Sequence, residues 1–236
     1  MASRRVTVGK ILVWALCLSP LAWLLARGFG VAGTSLGANP VEMVLLTLGK
    51  TALNLLLITL AVTPARRLTG YHQLIRFRRL LGLFAFFYAA LHFCAYAILD
   101  LRLAWSTLLV DVTQRPFITA GMLALLGMVP LAVTSTRGMQ RRLGRRWQTL
   151  HKTVYGVALL ALVHFLWQAK ADLEPEPWIY AALLAMLLGY RLVPWLRRRL
   201  PDAKPAVTAA DRGIEPPPSA REPRNQRREQ GDGHPS

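Results

Sequence analysis

Residues 80–99 read LLGLFAFFYAALHFCAYAIL, twenty positions without a formal charge and with one imidazole, His92. A helix rising about 1.5 Å per residue needs roughly 20 apolar residues to cross the hydrocarbon core of a bilayer, so this stretch is long enough to span one. Its histidine then lies where an ionisable side chain is costly and by default functional.

Five further stretches have the same character: residues 11–26, 43–63, 117–134, 151–169 and 178–196, with Pro64 expected to end the second. The chain is 53% hydrophobic and only 17% charged, where a soluble domain carries about a quarter charged residues. Apolar residues in long runs exclude an ordinary globular enzyme, a disulfide-framed secreted domain and a disordered chain. The net charge of +17 comes from arginines that fall between the apolar runs, so it is not a nucleic-acid footprint. The expected fold is an all-α membrane protein, a six-transmembrane-helix bundle over residues 11–196.

Orientation follows from the Lys/Arg bias of the short loops. One side carries Arg4, Arg5 and Lys10, then Arg66, Arg67, Arg76, Arg78 and Arg79, then Arg137, Arg141, Arg142, Arg145 and Arg146, then Arg197 to Arg199. The other carries Arg27, Arg102, Arg115 and Lys170. Sixteen against four puts both termini, residues 1–10 included, in the cytoplasm. The first span reads as an uncleaved signal anchor, because no small-x-small site closely follows it. Residues 201–236, rich in Pro, Arg, Glu and Gln, read as a disordered cytoplasmic tail. No internal repeat is expected, and the outer loops are too short for an outer domain.

Spans three and five run in the same direction. At about 1.5 Å per residue, His92 lies roughly 18 Å beyond Leu80 and His164 roughly 20 Å beyond His151. Two imidazoles at matched depth can be the axial ligands of one haem, and with no Cys-x-x-Cys-His in the chain that haem is b-type. Ala85, Ala89 and Ala95 leave room for a flat macrocycle beside His92. A hydrogen bond between helices and a proton relay are the competing roles; a tetrahedral zinc site lacks its four clustered ligands. His151, at the inner edge of span five, has no histidine opposite it. Arg78, fourteen residues before His92, holds the corresponding place in span three, and His72 lies in the preceding loop. His151 and His164 fall about 140° apart on an ideal helix, which one continuous helix does not reconcile with a single stack. Lys50 and Asn54, one turn apart in the outer half of span two, could line a polar pocket, with snorkelling the favoured reading of Lys50.

Several motifs carry a family likeness: GANPVE at 37–42, TPARR at 63–67, RRLLGL at 78–83, FYAALH at 87–92, RPFITAG at 115–121, TS at 134–135 and LGRRWQTLHKTVY at 143–155. With His164 they resemble the MsrQ (YedZ) family, the haem-binding membrane subunits of the bacterial periplasmic methionine sulfoxide reductase system, within the ferric-reductase-like transmembrane superfamily. The resemblance covers about residues 10–196. It implies a multi-pass protein of the bacterial inner membrane holding one or two b-type haems, with His92, His151 and His164 as haem and metal ligands. It implies electron transfer from the quinone pool, or from flavin reduced by a cytosolic flavin reductase, to a periplasmic molybdopterin subunit that repairs oxidised proteins. FMN is also associated with the family. Its NADPH oxidase relatives carry two histidines 14 apart on the third span; here the earlier place is Arg78, which makes Arg78 a candidate cofactor-binding residue.

No nucleotide fingerprint such as G-x-G-x-x-G occurs. The expected role is therefore an electron-transfer subunit without a substrate-reducing site of its own. The alternatives are a stand-alone reductase of ferric iron or another small acceptor, and a non-redox transporter or assembly factor.

Overall fold

The computed structural model describes residues 2–169 and 175–199. The expected tail, residues 201–236, lies outside the described residues. Met1–Pro194 forms one compact unit; of the second, Trp195–Ser236, only the helical residues up to Arg199 are described.

Nine α-helices and no strand are found among the described residues: α1 Ala2–Gly28, α2 Pro40–Thr69, α3 Ile75–Ala95, α4 Trp105–Gln114, α5 Pro116–Val133, α6 Arg137–Leu143, α7 Arg145–Lys152, α8 Val154–Gln168 and α9 Glu176–Arg199. Five stretches among them are long and apolar enough to cross a membrane: Thr7–Gly28, Pro40–Thr69, His72–Asp100, Pro116–Val133 and Arg145–Gln168. The chain is a multi-pass membrane protein of helical class. The sixth expected span falls in α9, which is helical throughout but carries Glu176 and Arg191 and is not one of the five. Leu184 of α9 is nonetheless only 1% exposed, in the same buried cluster as Leu60 of α2 and Tyr88 of α3.

Two antiparallel pairs, α2 with α3 and α5 with α8, make the centre of the bundle. Local signals set their ends. Asn39 caps α2, accepting from the Glu42 N–H at 3.4 Å and donating to the Glu42 carboxylate at 2.8 Å, with Pro40 at the first helical position. Gly70, at φ 69°, closes α2 by donating its N–H to the Arg66 carbonyl. Beyond α3 the chain widens into a π-turn, Tyr96–Asp100, where the Leu101 N–H reaches back to the Tyr96 carbonyl at 3.0 Å.

Pro64 does not end α2 as expected; the helix runs through it to Thr69. Proline has no N–H to give the carbonyl four residues back, which here belongs to Leu60. A guanidinium nitrogen of Arg191, from α9, donates to that Leu60 carbonyl at 2.9 Å. Arg191 also donates to the Tyr155 hydroxyl and lies over its ring, 5.0 Å from the centroid. One side chain thus compensates the proline and ties α2, α8 and α9 together.

A second side chain is built into α1. The Tyr88 hydroxyl donates to the Cys17 carbonyl at 2.6 Å and accepts the Leu21 N–H at 3.2 Å. Those two backbone groups would otherwise pair with each other across one helical turn, next to Pro20. Tyr88 is fully buried, so Tyr88→Phe removes both hydrogen bonds, and the opened turn of α1 must shift to close on itself. The expected cost is about 1–3 kcal/mol, read as a lower thermal midpoint in detergent with the helical signal unchanged before the transition.

Candidate functional site

The starts of α2 and α5 and the ends of α3 and α8 meet at one end of the bundle, around a cavity of about 450 Å³. His92 and His164 both line it. Their ring centroids are 6.1 Å apart and their planes cross at 76°. The matched depth expected of spans three and five is what the structure has.

Each imidazole is held from behind. His92 Nδ1–H donates to the Leu45 carbonyl of α2 at 3.0 Å, and His164 Nδ1–H to the Phe117 carbonyl of α5 at 2.7 Å. A carbonyl only accepts, so each Nδ1 carries the proton and each ring, as a neutral imidazole, keeps Nε2 as its free lone pair. A metal-ligating histidine is oriented in this way by an acceptor on its other nitrogen. The 6.1 Å between the ring centres would leave room for one metal ion between the two imidazoles. No cluster of three or more His, Cys, Asp or Glu suited to a metal ion occurs among the described residues. Two imidazoles in one cavity with no further metal-ligating side chains would suit a macrocycle that brings its own remaining ligands.

The walls repeat, contrary to the expectation of no internal repeat. Leu45, Gly49, Ala52, Ala89, His92 and Phe93 line one side of the cavity; 72 positions further on, Phe117, Gly121, Ala124, Ala161, His164 and Phe165 line the other. In sequence the common pattern is T-x-G-x-x-A-L at 47–53 and 119–125, followed by A-x-x-H-F at 89–93 and 161–165. Both histidine-to-carbonyl hydrogen bonds span 47 residues. A glycine in an apolar helix carries no signal by itself; the two become legible only when the chain is set against itself with His92 over His164.

The mouth is polar and does not repeat. Lys50 lines the cavity and pairs with Glu176 at the start of α9, at 2.5 Å, rather than snorkelling away. Asn54 is exposed and lies outside the lining. The Tyr96 hydroxyl donates to Asp111 at 2.5 Å, and Asp111 meets Arg115 at 3.3 Å. Of the three alanines expected beside a macrocycle, Ala89 lines the cavity, whereas Ala85 is buried in helix packing and Ala95 lies outside the lining.

His151 and Arg78 are not in the lining of this cavity. The His151 ring stacks on Trp147, centroids 3.9 Å apart, and its Nδ1–H donates to the Trp147 carbonyl at 3.1 Å. Trp147 in turn donates its indole N–H to the Thr134 carbonyl at 3.0 Å. Arg78 lies within electrostatic range of His151, Arg191 and Tyr155. Span five is two helices, α7 and α8, that meet at Thr153, so the 140° of one ideal helix does not carry across it. His72 is exposed in a short 3-10 turn and is not part of the cavity lining.

The helical pairs and the paired histidines define a ferric-reductase-like membrane protein, and residues 47–162 match the family described as "Ferric reductase like transmembrane component". The match ends just short of His164. At closer range, the chain is 49% identical to the protein-methionine-sulfoxide reductase heme-binding subunit MsrQ of Rhodospirillum rubrum, over 84% of this chain and 94% of that protein. It is 45% identical to MsrQ of Xanthomonas axonopodis pv. citri over 93% of this chain and 98% of that protein, and 47% identical to MsrQ of Xanthomonas campestris pv. campestris over 86% and 95%. The chain belongs to the MsrQ family.

Proposed function

We propose that this chain is the haem b-carrying membrane subunit of a protein-methionine-sulfoxide reductase system. It passes electrons across the bacterial inner membrane to a separate periplasmic catalytic subunit, a molybdopterin protein that reduces methionine sulfoxide in oxidised proteins. The observation that carries this reading is the pair His92 and His164, side by side in one cavity with ring centroids 6.1 Å apart and each Nδ1 engaged by a carbonyl. The printed name of the relatives, heme-binding subunit MsrQ, supports it. When bound, haem supplies a one-electron carrier whose potential responds to its axial ligands and their hydrogen bonds.

The chain's own residues do the rest. The Leu45 and Phe117 carbonyls hold the two rings in the ligating tautomer. Apolar walls exclude water from the ligand bonds. α9 counts as the sixth span in this proposal, which puts both termini in the cytoplasm and the cavity toward the periplasmic side, where the acceptor is. Electrons enter at the cytoplasmic side from quinol or reduced flavin, FMN among the candidates, near Arg78 and His151, where a second haem would bind.

A dithionite-reduced minus oxidised spectrum of the detergent-purified chain, with haem counted per chain, tests the proposal. A b-type signal is expected; its absence after haem-sufficient expression sinks it. His151→Ala is expected to leave the His92–His164 signal intact and to remove only an inner component. Loss of the whole spectrum in that variant would refute two separable sites.

A further inference from the structure

We propose that Gly49 and Gly121 are positioning residues that seat the two imidazoles, each by leaving out one carbon atom; the inference rests on the cavity being a haem site. A Cβ built on Gly49 would stand 3.2 Å from both Cε1 and Nδ1 of His92. A Cβ built on Gly121 would stand 2.8 Å from Nδ1 and 3.0 Å from Cε1 of His164. The Gly121 approach is one that carbon contacts essentially never show, the Gly49 approach needs the ring to give by a few tenths of an ångström, and both rings are held by their hydrogen bonds.

The same glycines also open those hydrogen bonds. A helical side chain leans toward the N-terminus, over the turn that precedes it. At position 49 it would lie over the Leu45 carbonyl, four residues back; at 121, over the Phe117 carbonyl. With glycine in both places, each carbonyl is open to an imidazole from the neighbouring helix. Ring space and the Nδ1 acceptor therefore come from a single absent methyl. The two copies of the wall motif keep glycine at this point while Lys50 and Met122, the next residues along, differ.

Ordinary helix packing is a separate demand, and the same helices supply its controls. A Cβ on Gly127 of α5 would stand 2.8 Å from Val157 Cγ2 of α8, as tight as at Gly121 but against no histidine. A Cβ on Gly82 of α3 would meet Thr59 Cγ2 of α2 at an ordinary 3.6 Å.

The test compares Gly49→Ala with Gly82→Ala, and Gly121→Ala with Gly127→Ala, in the full chain purified in detergent. Haem per chain, the low-spin electron paramagnetic resonance signal and the midpoint potential are measured on each. Gly121→Ala is expected to lose about tenfold or more in haem retention, the scale on which removing a ligand's hydrogen-bond partner acts. Gly49→Ala, with 0.4 Å more room at Nδ1, is expected to keep more haem with a shifted low-spin signal and potential. Gly82→Ala and Gly127→Ala are expected to keep the parent spectrum and potential in whatever protein folds. Should Gly121→Ala fail to accumulate, the signal and potential of Gly49→Ala decide. The inference falls if the parent chain carries haem and both position-49 and position-121 variants match it, or if Gly127→Ala loses the low-spin signal as Gly121→Ala does. A parent chain without haem overturns the proposed function itself and this inference with it.

Discussion

His164→Ala is expected to abolish haem retention in the cavity while leaving a folded bundle, and His92→Ala to do the same. Either change removes one of the two imidazoles that line the cavity 6.1 Å apart. The loss should exceed the roughly 10–100-fold that follows when only a ligand's hydrogen-bond partner is removed. The fold should survive, because each imidazole makes one hydrogen bond to a carbonyl that already serves its own helix, and alanine fits the space. Imidazole in the buffer is expected to restore part of the low-spin spectrum of His164→Ala, since the substitution vacates a space of that shape against Gly121. His72→Ala, at an exposed position outside the cavity, should change nothing. Normal haem content in both His92→Ala and His164→Ala would refute the pairing.

The second large effect concerns stability. Arg191→Met is expected to lower stability by about 2 kcal/mol, because it strands the Leu60 carbonyl that Pro64 leaves open and removes the tie to Tyr155. The decisive comparison is the double variant Arg191→Met with Pro64→Ala. Alanine at 64 restores the N–H that closes the ladder onto Leu60, so the double variant should recover part of the lost thermal midpoint. The two changes should be non-additive, as contacting residues are. Strict additivity would mean that Arg191 does not serve the proline.

These cases show where the sequence was readable. Long, mostly apolar runs declared the helices, and rise per residue sufficed to bring His92 level with His164, because depth in a bilayer is set by counting. Pro64 was misread because the group that compensates it lies on another helix, 131 positions from Leu60. No local rule connects Pro64 with Arg191. The break at Thr153 and the π-turn after Ala95 were likewise invisible to arithmetic that assumes 100° per residue throughout. The short helices α4 and α6 lay in stretches read only as loops. Gly49 and Gly121 were legible in principle, but only by comparing the chain with itself, since a glycine in an apolar helix says nothing alone about what it faces.

That self-comparison casts the cavity in another light. Two units of the same hand that present like surfaces to one another are related by a rotation, as subunits are in an isologous dimer. The α2–α3 and α5–α8 pairs meet within one polypeptide, each contributing one histidine, one glycine and one carbonyl acceptor to the cavity. A covalent dimer can do what a homodimer cannot, and change one half without the other. Lys50 opposite Met122, and Tyr96 opposite Gln168, are places where the halves have diverged, and all four residues line the cavity. The symmetric positions grip; the unmatched ones give the grip a direction.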